Sequence, residues 1–471
     1  MANYTKVIAY NTFIQIIGKI ITTAISVVML AYLARYLGVS RYGDYTTVFA
    51  FLGFFAIIAD MGLFTVAVRD IAKNPEKAPY IMGNIFTVRI LFAVFFLILA
   101  PAIGYLIPVY SSIIKTSILI GSFFSFFVLC NQLMVSIFQV NLRMEKTVIS
   151  DVVGRIVLFM LVMIFIQMRL SVEYFVLANV LANIILFITS YILSRDLIKF
   201  NLKFDFAYWK YILRESVPLG IIIVLGLIYF KIDTIMLSIM KDSEAVGIYG
   251  APYKILEILV TIPPMFMGSV FPLVTKYLKD GDDRFKKSFL KSFDFMSLII
   301  LPIVFGTLIL AKPIIILVLG EEFISSALVL RYLIFAVFLI FFSSVFNYFI
   351  LASNLQKKLV PIYISSVLIN IIGNIILIPS YSYIGCAMVT IFTEAFVCVS
   401  AYLIIYNNLK LLPRFNLFLK SLFASLIMSL VIYFLYDLNI ILNIIIGGTI
   451  YTSIIYMTGG IKKEMIINFI K

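Results

Sequence analysis

Residues 80–109 read YIMGNIFTVRILFAVFFLILAPAIGYLIPV, thirty positions with a single charge, Arg89. An α-helix rises about 1.5 Å per residue, so roughly 20 apolar residues cross the hydrocarbon layer of a bilayer. Strands of an outer-membrane barrel are about ten residues long and alternate polar with apolar side chains. This run is longer and does not alternate. A helix also satisfies its own amides, which lipid cannot do. The stretch therefore reads as a membrane-spanning helix, and it sets the terms for the sequence on either side.

Working outward, comparable apolar runs fall at 7–34, 46–70, 112–140, 147–168 and 173–194. Others follow at 215–240, 245–275, 293–319, 326–352, 359–379, 382–406, 418–436 and 438–458. The chain of 471 residues is 63% hydrophobic and 13% charged, with a mean hydropathy of +1.12. Soluble domains are about 45–50% apolar and about 25% charged, so a soluble enzyme is excluded. The expected fold class is an all-α polytopic membrane protein with about 14 transmembrane helices. The sequence contains no histidine, which removes histidine triads, dyads, metal sites and proton relays. Cys130, Cys386 and Cys398 lie in apolar stretches without a CxxC spacing and read as small buried hydrophobes, so no metal site is expected. No GxxxxGK[ST] loop for ATP occurs.

The basic residues set the orientation. With the N-terminus inside, 25 of the 37 lysines and arginines fall in inner segments, 6 in outer segments and 6 within spans. Such an alternation follows the positive-inside rule and accounts for the net charge of +14 without nucleic acid as a partner. The first run carries Asn11, Gln15 and Lys19 and no small-residue cleavage site, so it reads as a span, not a cleavable signal. The richness in Ile and Lys suits a prokaryotic genome, so the expected place is the inner or plasma membrane of a prokaryote, and the alternation of basic residues puts both termini in the cytoplasm.

The sequence also reads as doubled. Tyr42-Gly43-Asp44-Tyr45 and Val246-Gly247-Ile248-Tyr249 both open an even-numbered span, 204 residues apart, and Asn141-Leu142-Arg143 pairs with Asn354-Leu355-Gln356 at 213. Two six-helix lobes of the same orientation follow, related by a pseudo-two-fold along the membrane normal, with two extra helices and a substrate path between the lobes. The expected divisions are an N-terminal lobe at 1–196, a cytoplasmic amphipathic linker at 197–214, a C-terminal lobe at 215–407, and two additional spans with a cytoplasmic tail at 408–471. The linker mixes basic and aromatic residues, including the only tryptophan, Trp209, and reads as an interfacial segment.

A charge at the centre of a span costs about 2.5–3.5 kcal/mol on insertion scales, so the charges within spans should face a cavity or each other. The basic ones with cavity potential are Lys19, Arg89, Arg155, Lys231 and Lys254; Asp60, Asp233, Glu257 and Glu394 are acidic. Asp60 and Arg89 fall at similar depths and are expected to pair. Asp151 with Arg155 and Lys254 with Glu257 share helix faces and could neutralise one another. Glu394 stands alone near mid-membrane, where desolvation favours a protonatable carboxylate. Asn11, Gln15, Lys19, Thr22 and Ser26 form one stripe of the first helix, and Asn370 with Asn374 form an i,i+4 pair.

Three groups of motifs carry a family resemblance. They are Leu33-Ala34-Arg35-Tyr36-Leu37-Gly38 with Tyr42-Gly43-Asp44-Tyr45 and Ala59-Asp60-Met61-Gly62-Leu63; then Lys231 to Leu237 with Val246-Gly247-Ile248-Tyr249 and Tyr253-Lys254; then Asn370, Asn374, Ile378-Pro379, Gly385-Cys386-Ala387 and Glu394. In this order they resemble polysaccharide-type flippases, the Wzx-like branch of the multidrug/oligosaccharidyl-lipid/polysaccharide exporter superfamily. The resemblance implies two six-helix lobes around a central cavity. It implies transport, not catalysis, of a polyprenyl-diphosphate-linked oligosaccharide from the inner to the outer leaflet by alternating access. No ATP or other cofactor is implied; a proton or sodium counter-ion would couple transport, and membrane lipids and glycan-assembly enzymes are the expected partners. Under this reading Lys19, Arg89, Arg155, Lys231 and Lys254 suit the diphosphate. Asn11, Gln15, Asn370 and Asn374 line the cavity, and Asp60, Asp233, Glu257 and Glu394 are ion-coupling candidates. The alternative is a multidrug or cation antiporter of the same superfamily.

The orientation is directly measurable. In a cysteine-free background, Lys287→Cys should react with a membrane-impermeant maleimide only from the cytoplasmic side, and Glu321→Cys only from outside. Labelling of both from one side would overturn the fourteen-span count.

Overall fold

The computed structural model describes residues 2–198, 200–279 and 283–460. Lys199, the residues 280–282 at the centre of the 276–291 connection, and the tail with Lys462, Lys463 and Lys471 lie outside the described residues. No strand occurs among the described residues. The helices are α1 (Ala2–Asp60), α2 (Leu63–Lys73), α3 (Ala78–Leu106), α4 (Ser112–Val140), α5 (Met144–Gln167), α6 (Val172–Ser194) and α7 (Phe206–Met240). They continue as α8 (Ser243–Leu259), α9 (Ile262–Lys279), α10 (Arg284–Leu319), α11 (Ser326–Ala352), α12 (Leu359–Leu409), α13 (Asn416–Phe434) and α14 (Ile440–Met457).

Two helices are too long for one crossing. Helix α1 has 59 residues and breaks at Gly38, where φ is 69° and ψ 176°. That region of backbone space is open only to glycine. Helix α12 has 51 residues and breaks at Ser382 (φ 49°, ψ −131°), just after Pro379, whose ring removes a helical amide donor. Among the described residues, eleven continuous stretches are long and apolar enough to cross a bilayer. Two of them, Phe13–Lys73 and Gln356–Leu409, contain these breaks and, at 61 and 54 residues, are long enough for two crossings each. Helix α7, of 35 residues, adds another crossing-length element.

The expected spans at 46–70 and 245–275 are each interrupted. Met61 and Gly62 take positive φ, 40° and 79°, and separate α1 from α2. Val260 and Thr261 separate α8 from α9, because Pro263 and Pro264 cannot extend the hydrogen-bond ladder of the preceding turn.

By contact the chain divides into two compact units, residues 1–247 and 248–471. In the first, α4 is the central helix, packed against α3, α6 and both limbs of the α1–α2 region, while α5 fills the gap between α1 and α6. One core of it gathers Leu63, Val66, Met82, Ile85, Phe138 and Ile212. In the second, α11 packs on α9, α10 and α12, and α13 joins α10 to α14. Aromatic rings cross-link these helices: Phe293 meets Phe342 at 4.7 Å and Phe289 meets Phe349 at 5.3 Å. Large apolar side chains such as Phe95, Ile98 and Phe392 stay exposed, as a lipid-facing surface requires.

The linker is helical in part. Asp205 caps α7, its carboxylate accepting from the amides of Ala207 and Tyr208 at 3.0 and 3.1 Å. Tyr80 donates to the same carboxylate. These bonds, that of Tyr80 first, hold the Asp205 pKa below the ordinary carboxylate value of 3.8. The cap is therefore intact above that value and lost only as pH falls through the lower folded pKa.

The doubled motifs meet in space within the first unit. A methyl group on Gly43 would overlap the Ser243 carbonyl, and one on Gly247 would overlap the Val39 carbonyl. The separation of 204 that relates Gly43 to Gly247 also relates Val39 to Ser243. The contact is thus locally self-complementary, each motif supplying the same two positions. Ser243 reinforces it by donating to Asp44 at 2.5 Å. The second pair of motifs also forms equivalent turns, one residue out of the expected register. Leu142 (φ 54°) and Asn354 (φ 56°) are the left-handed residues, and Arg143 and Leu355 bond back to Phe138 and Ile350.

Gly43→Ala and Gly247→Ala should each cost about 1–3 kcal/mol through overpacking. Thermal unfolding of the purified protein should show a lowered midpoint for both; unchanged midpoints would remove the close crossing.

Candidate functional site

The polar stripe of α1 is sorted by the structure into two roles. Thr22 donates to the Gly18 carbonyl at 2.8 Å and Ser26 to that of Thr22 at 2.7 Å, so both hydroxyls are satisfied by their own helix. Gln15 likewise donates to the Asn11 carbonyl at 3.3 Å. Asn11 is 4% exposed and staples the α4–α5 turn. It donates to the Leu142 carbonyl at 2.8 Å and accepts from the Met144 amide at 3.0 Å. Lys19 carries the only charge of the stripe and is exposed.

Lys19 shares its surroundings with α5. Asp151, partly buried, feels the charge of both Arg155 and Lys19, although no ion-pair contact within 4 Å joins Asp151 to either cation. Arg155 is exposed and also acts electrostatically on Tyr45. Tyr45 accepts a hydrogen bond from Asn179 at 3.0 Å, and Asn183 donates to the Asn179 carbonyl at 2.9 Å. Gly18 makes the neighbourhood possible, because α1 there approaches Val148 of α5 too closely for a side chain. Two cations, one carboxylate, a phenol and two carboxamides therefore gather from α1, α5 and α6.

Arg89 behaves differently. It is 1% exposed, pairs with Asp60 and donates to Gln132 at 2.9 Å. The pairing expected from depth is present, and it buries the guanidinium among α1, α3 and α4 rather than presenting it to an open surface. Gln132 is a partner that sequence reading missed; its signal was a polar Asn131-Gln132 step inside the apolar run of α4. Asp60 ends α1 immediately before the break at Met61 and Gly62, so the ion pair also fixes the point where the chain leaves the helix.

Lys254 donates to Glu257 at 2.8 Å, both partly exposed, so that pair is formed as its i,i+3 spacing suggested. Lys231 on α7 is half-buried and Asp233, two residues on, is 1% exposed.

The second unit holds a separate buried polar group. Asn374 donates to Asn370 at 3.0 Å, and both are essentially inaccessible. Glu394, on the other limb of α12, is 3% exposed and interacts electrostatically with Tyr363 and Cys398. Tyr363 accepts from Asn347 of α11 at 3.0 Å, and Thr390 shares a hydrogen bond with Tyr249 at 3.2 Å. The break at Ser382 lets one helix contribute residues from both limbs to this group.

Comparison with known proteins follows the same outline. Residues 8–278 match the family described as polysaccharide biosynthesis protein, and residues 218–376 match the MatE family. A protein of Haloferax volcanii named "Probable low-salt glycan biosynthesis flippase Agl15" is 23% identical over 97% of each chain. Among solved structures, the lipid II flippase MurJ in an inward closed conformation superposes with a TM-score of 0.79 at 17% identity, over 95% of this chain and 98% of that one. An inward-facing multidrug resistance transporter of the MATE family superposes with a TM-score of 0.68 at 13% identity, over 85% of this chain and 99% of that one. At such identities the structures establish a shared fold, and the family match over more than half the residues establishes kinship: this multi-pass membrane chain, which has the fold of these solved transporters, belongs to the polysaccharide biosynthesis protein family.

Proposed function

We propose that the protein moves a polyprenyl-diphosphate-linked oligosaccharide from the cytoplasmic to the outer leaflet by alternating access. The observation that carries this reading is the group around Lys19 and Arg155. Two exposed cations, with Tyr45, Asn179 and Asn183 behind them, offer charge for phosphate oxygens and hydrogen-bonding groups for sugars. The family match and the glycan-flippase name of the Haloferax volcanii relative support the same cargo. The lobes of this reading are 1–196 and 215–407, joined by 197–214, in the inner membrane of a prokaryote with both termini cytoplasmic.

Within this reading the sequence candidates separate by role. Lys19 and Arg155 meet the diphosphate, with half-buried Lys231 as a further contact. Arg89, Asp60 and Gln132 hold α3 and α4 at the α1 break, which makes them positioning residues. Lys254 is neutralised by Glu257. Deeply buried Asp233 and Glu394 are the carboxylates for coupling to a proton or sodium gradient, and Asn370 with Asn374 line the polar interior beside the latter. A multidrug or cation antiporter is the second reading, supported by the MatE match over residues 218–376.

The test is translocation of a lipid-linked oligosaccharide by the purified protein in liposomes under an imposed ion gradient, with a fluorescent drug cation in parallel. Glycan-lipid movement without drug transport is expected; drug transport alone would move the assignment to an antiporter. A charge-assisted hydrogen bond contributes about 1.5–3 kcal/mol. Lys19→Gln and Arg155→Gln should therefore each slow translocation by roughly ten- to a hundredfold, with unchanged melting. Wild-type rates in both would remove them from the site.

Asp60→Asn should instead destabilise the fold by about 3–5 kcal/mol, because it strands a buried guanidinium. Adding Arg89→Gln should restore most of that loss in thermal unfolding. If the double variant is no more stable than the single one, the ion pair is not what binds these helices.

A further inference from the structure

The segment that leads into α7 turns its polar groups inward and its apolar groups outward. The Lys203 amide donates to the Gly83 carbonyl at 3.3 Å, and the Asp205 amide to the Asn84 carboxamide at 3.0 Å. The Trp209 indole donates to the same Asn84 oxygen at 3.1 Å. A side chain on Gly83 would overlap the Asn201 carbonyl, so the segment lies flat on α3. The acidic groups nearby are engaged as well: Asp205 by Tyr80, and Glu215 by Arg69 at 2.8 Å.

What remains outside is apolar and basic. Phe204 is 65% exposed and Phe206 76%; the Phe204 ring packs tilted on Trp209 at 5.8 Å and the Phe206 ring edgewise at 4.9 Å. Tyr211 is exposed, as are Lys203, Lys210 and Arg214. In water such an arrangement would be an aggregation liability. Its depth says where it sits. Helix α7 has 35 residues, about 52 Å, and the hydrocarbon layer takes only about 30 Å. The first turns of α7 therefore emerge at the headgroups of the leaflet where the basic residues concentrate. Aromatic rings favour that layer, and each basic side chain there favours an anionic lipid by roughly fivefold.

We propose that residues 202–214 form a binding surface for anionic lipid headgroups of the cytoplasmic leaflet, with Phe204 and Phe206 seated at the glycerol level and Lys203, Lys210 and Arg214 on the lipid phosphates. The surface is independent of the cargo site and does not rest on the proposed transport activity.

Trp209 is the only tryptophan of the protein, so its fluorescence reports on this segment alone. The full-length protein is reconstituted in mixed vesicles carrying either phosphatidylglycerol or phosphatidylcholine brominated near the glycerol end of the acyl chain, at equal bromine content. Brominated phosphatidylglycerol should quench Trp209 at least twofold more strongly, and high salt should reduce that excess. The variant Lys203→Gln/Lys210→Gln/Arg214→Gln should lose the excess while quenching by phosphatidylcholine persists. Phe204→Ser/Phe206→Ser should weaken quenching by both lipids. Equal quenching of the wild type by the two lipids at low salt would overturn the headgroup preference. Absence of quenching by either would assign the surface to a protein partner, and the proposal would fail.

Discussion

Arg89 lies among three helices with 1% of its surface exposed, held by Asp60 and Gln132. A lone guanidinium at that position would carry an uncompensated desolvation penalty, and a lone carboxylate would do the same. Together they are tolerated only while α1, α3 and α4 keep their places. The pair sits where α1 ends and the chain turns through Met61 and Gly62, so a single electrostatic requirement fixes both the helix packing and the break. The first unit is built outward from that point, with α4 at its centre and α7 packed on α1, α2 and α3.

The same cost of desolvating polar groups explains how several other polar side chains are used. Hydroxyls of Thr22, Ser26, Ser297 and Thr393 return to carbonyls of their own helices. Carboxamides do longer-range work: Asn11 reaches the α4–α5 turn and Asn84 reaches both the Asp205 amide and the Trp209 indole. Breaks in the long helices occur where chemistry permits them, at Gly38 and near Pro379. The break in α12 lets Asn370 and Glu394 come from opposite limbs of one element.

Cations in the spans divide by the partners they find. Arg89 and Lys254 have their own carboxylates, whereas Lys19 and Arg155 share only the field of Asp151 without contact. The Arg89 pair is buried between helices, the Lys254 pair lies along a single helix, and Lys19 and Arg155 stay exposed. Lys203, Lys210 and Arg214 form a third class, outside the hydrocarbon, where the natural counter-charge is the lipid surface itself.

Much of this was legible without coordinates. Membrane class, helix number, the Asp60–Arg89 and Lys254–Glu257 pairs and the family follow from apolar run length, charge depth and local motifs, because lipid solvation acts on each segment independently. The offset of 204 between the glycine motifs was visible as well, but not that the two motifs press against each other. Three-dimensional packing alone decided that Asn11 is a turn staple, that Gln132 completes the Arg89 site, and that Arg155 is open where Arg89 is closed. Those outcomes depend on which faces of distant helices meet, and a residue's partners across a helix interface are set by rotation and register that no single segment encodes.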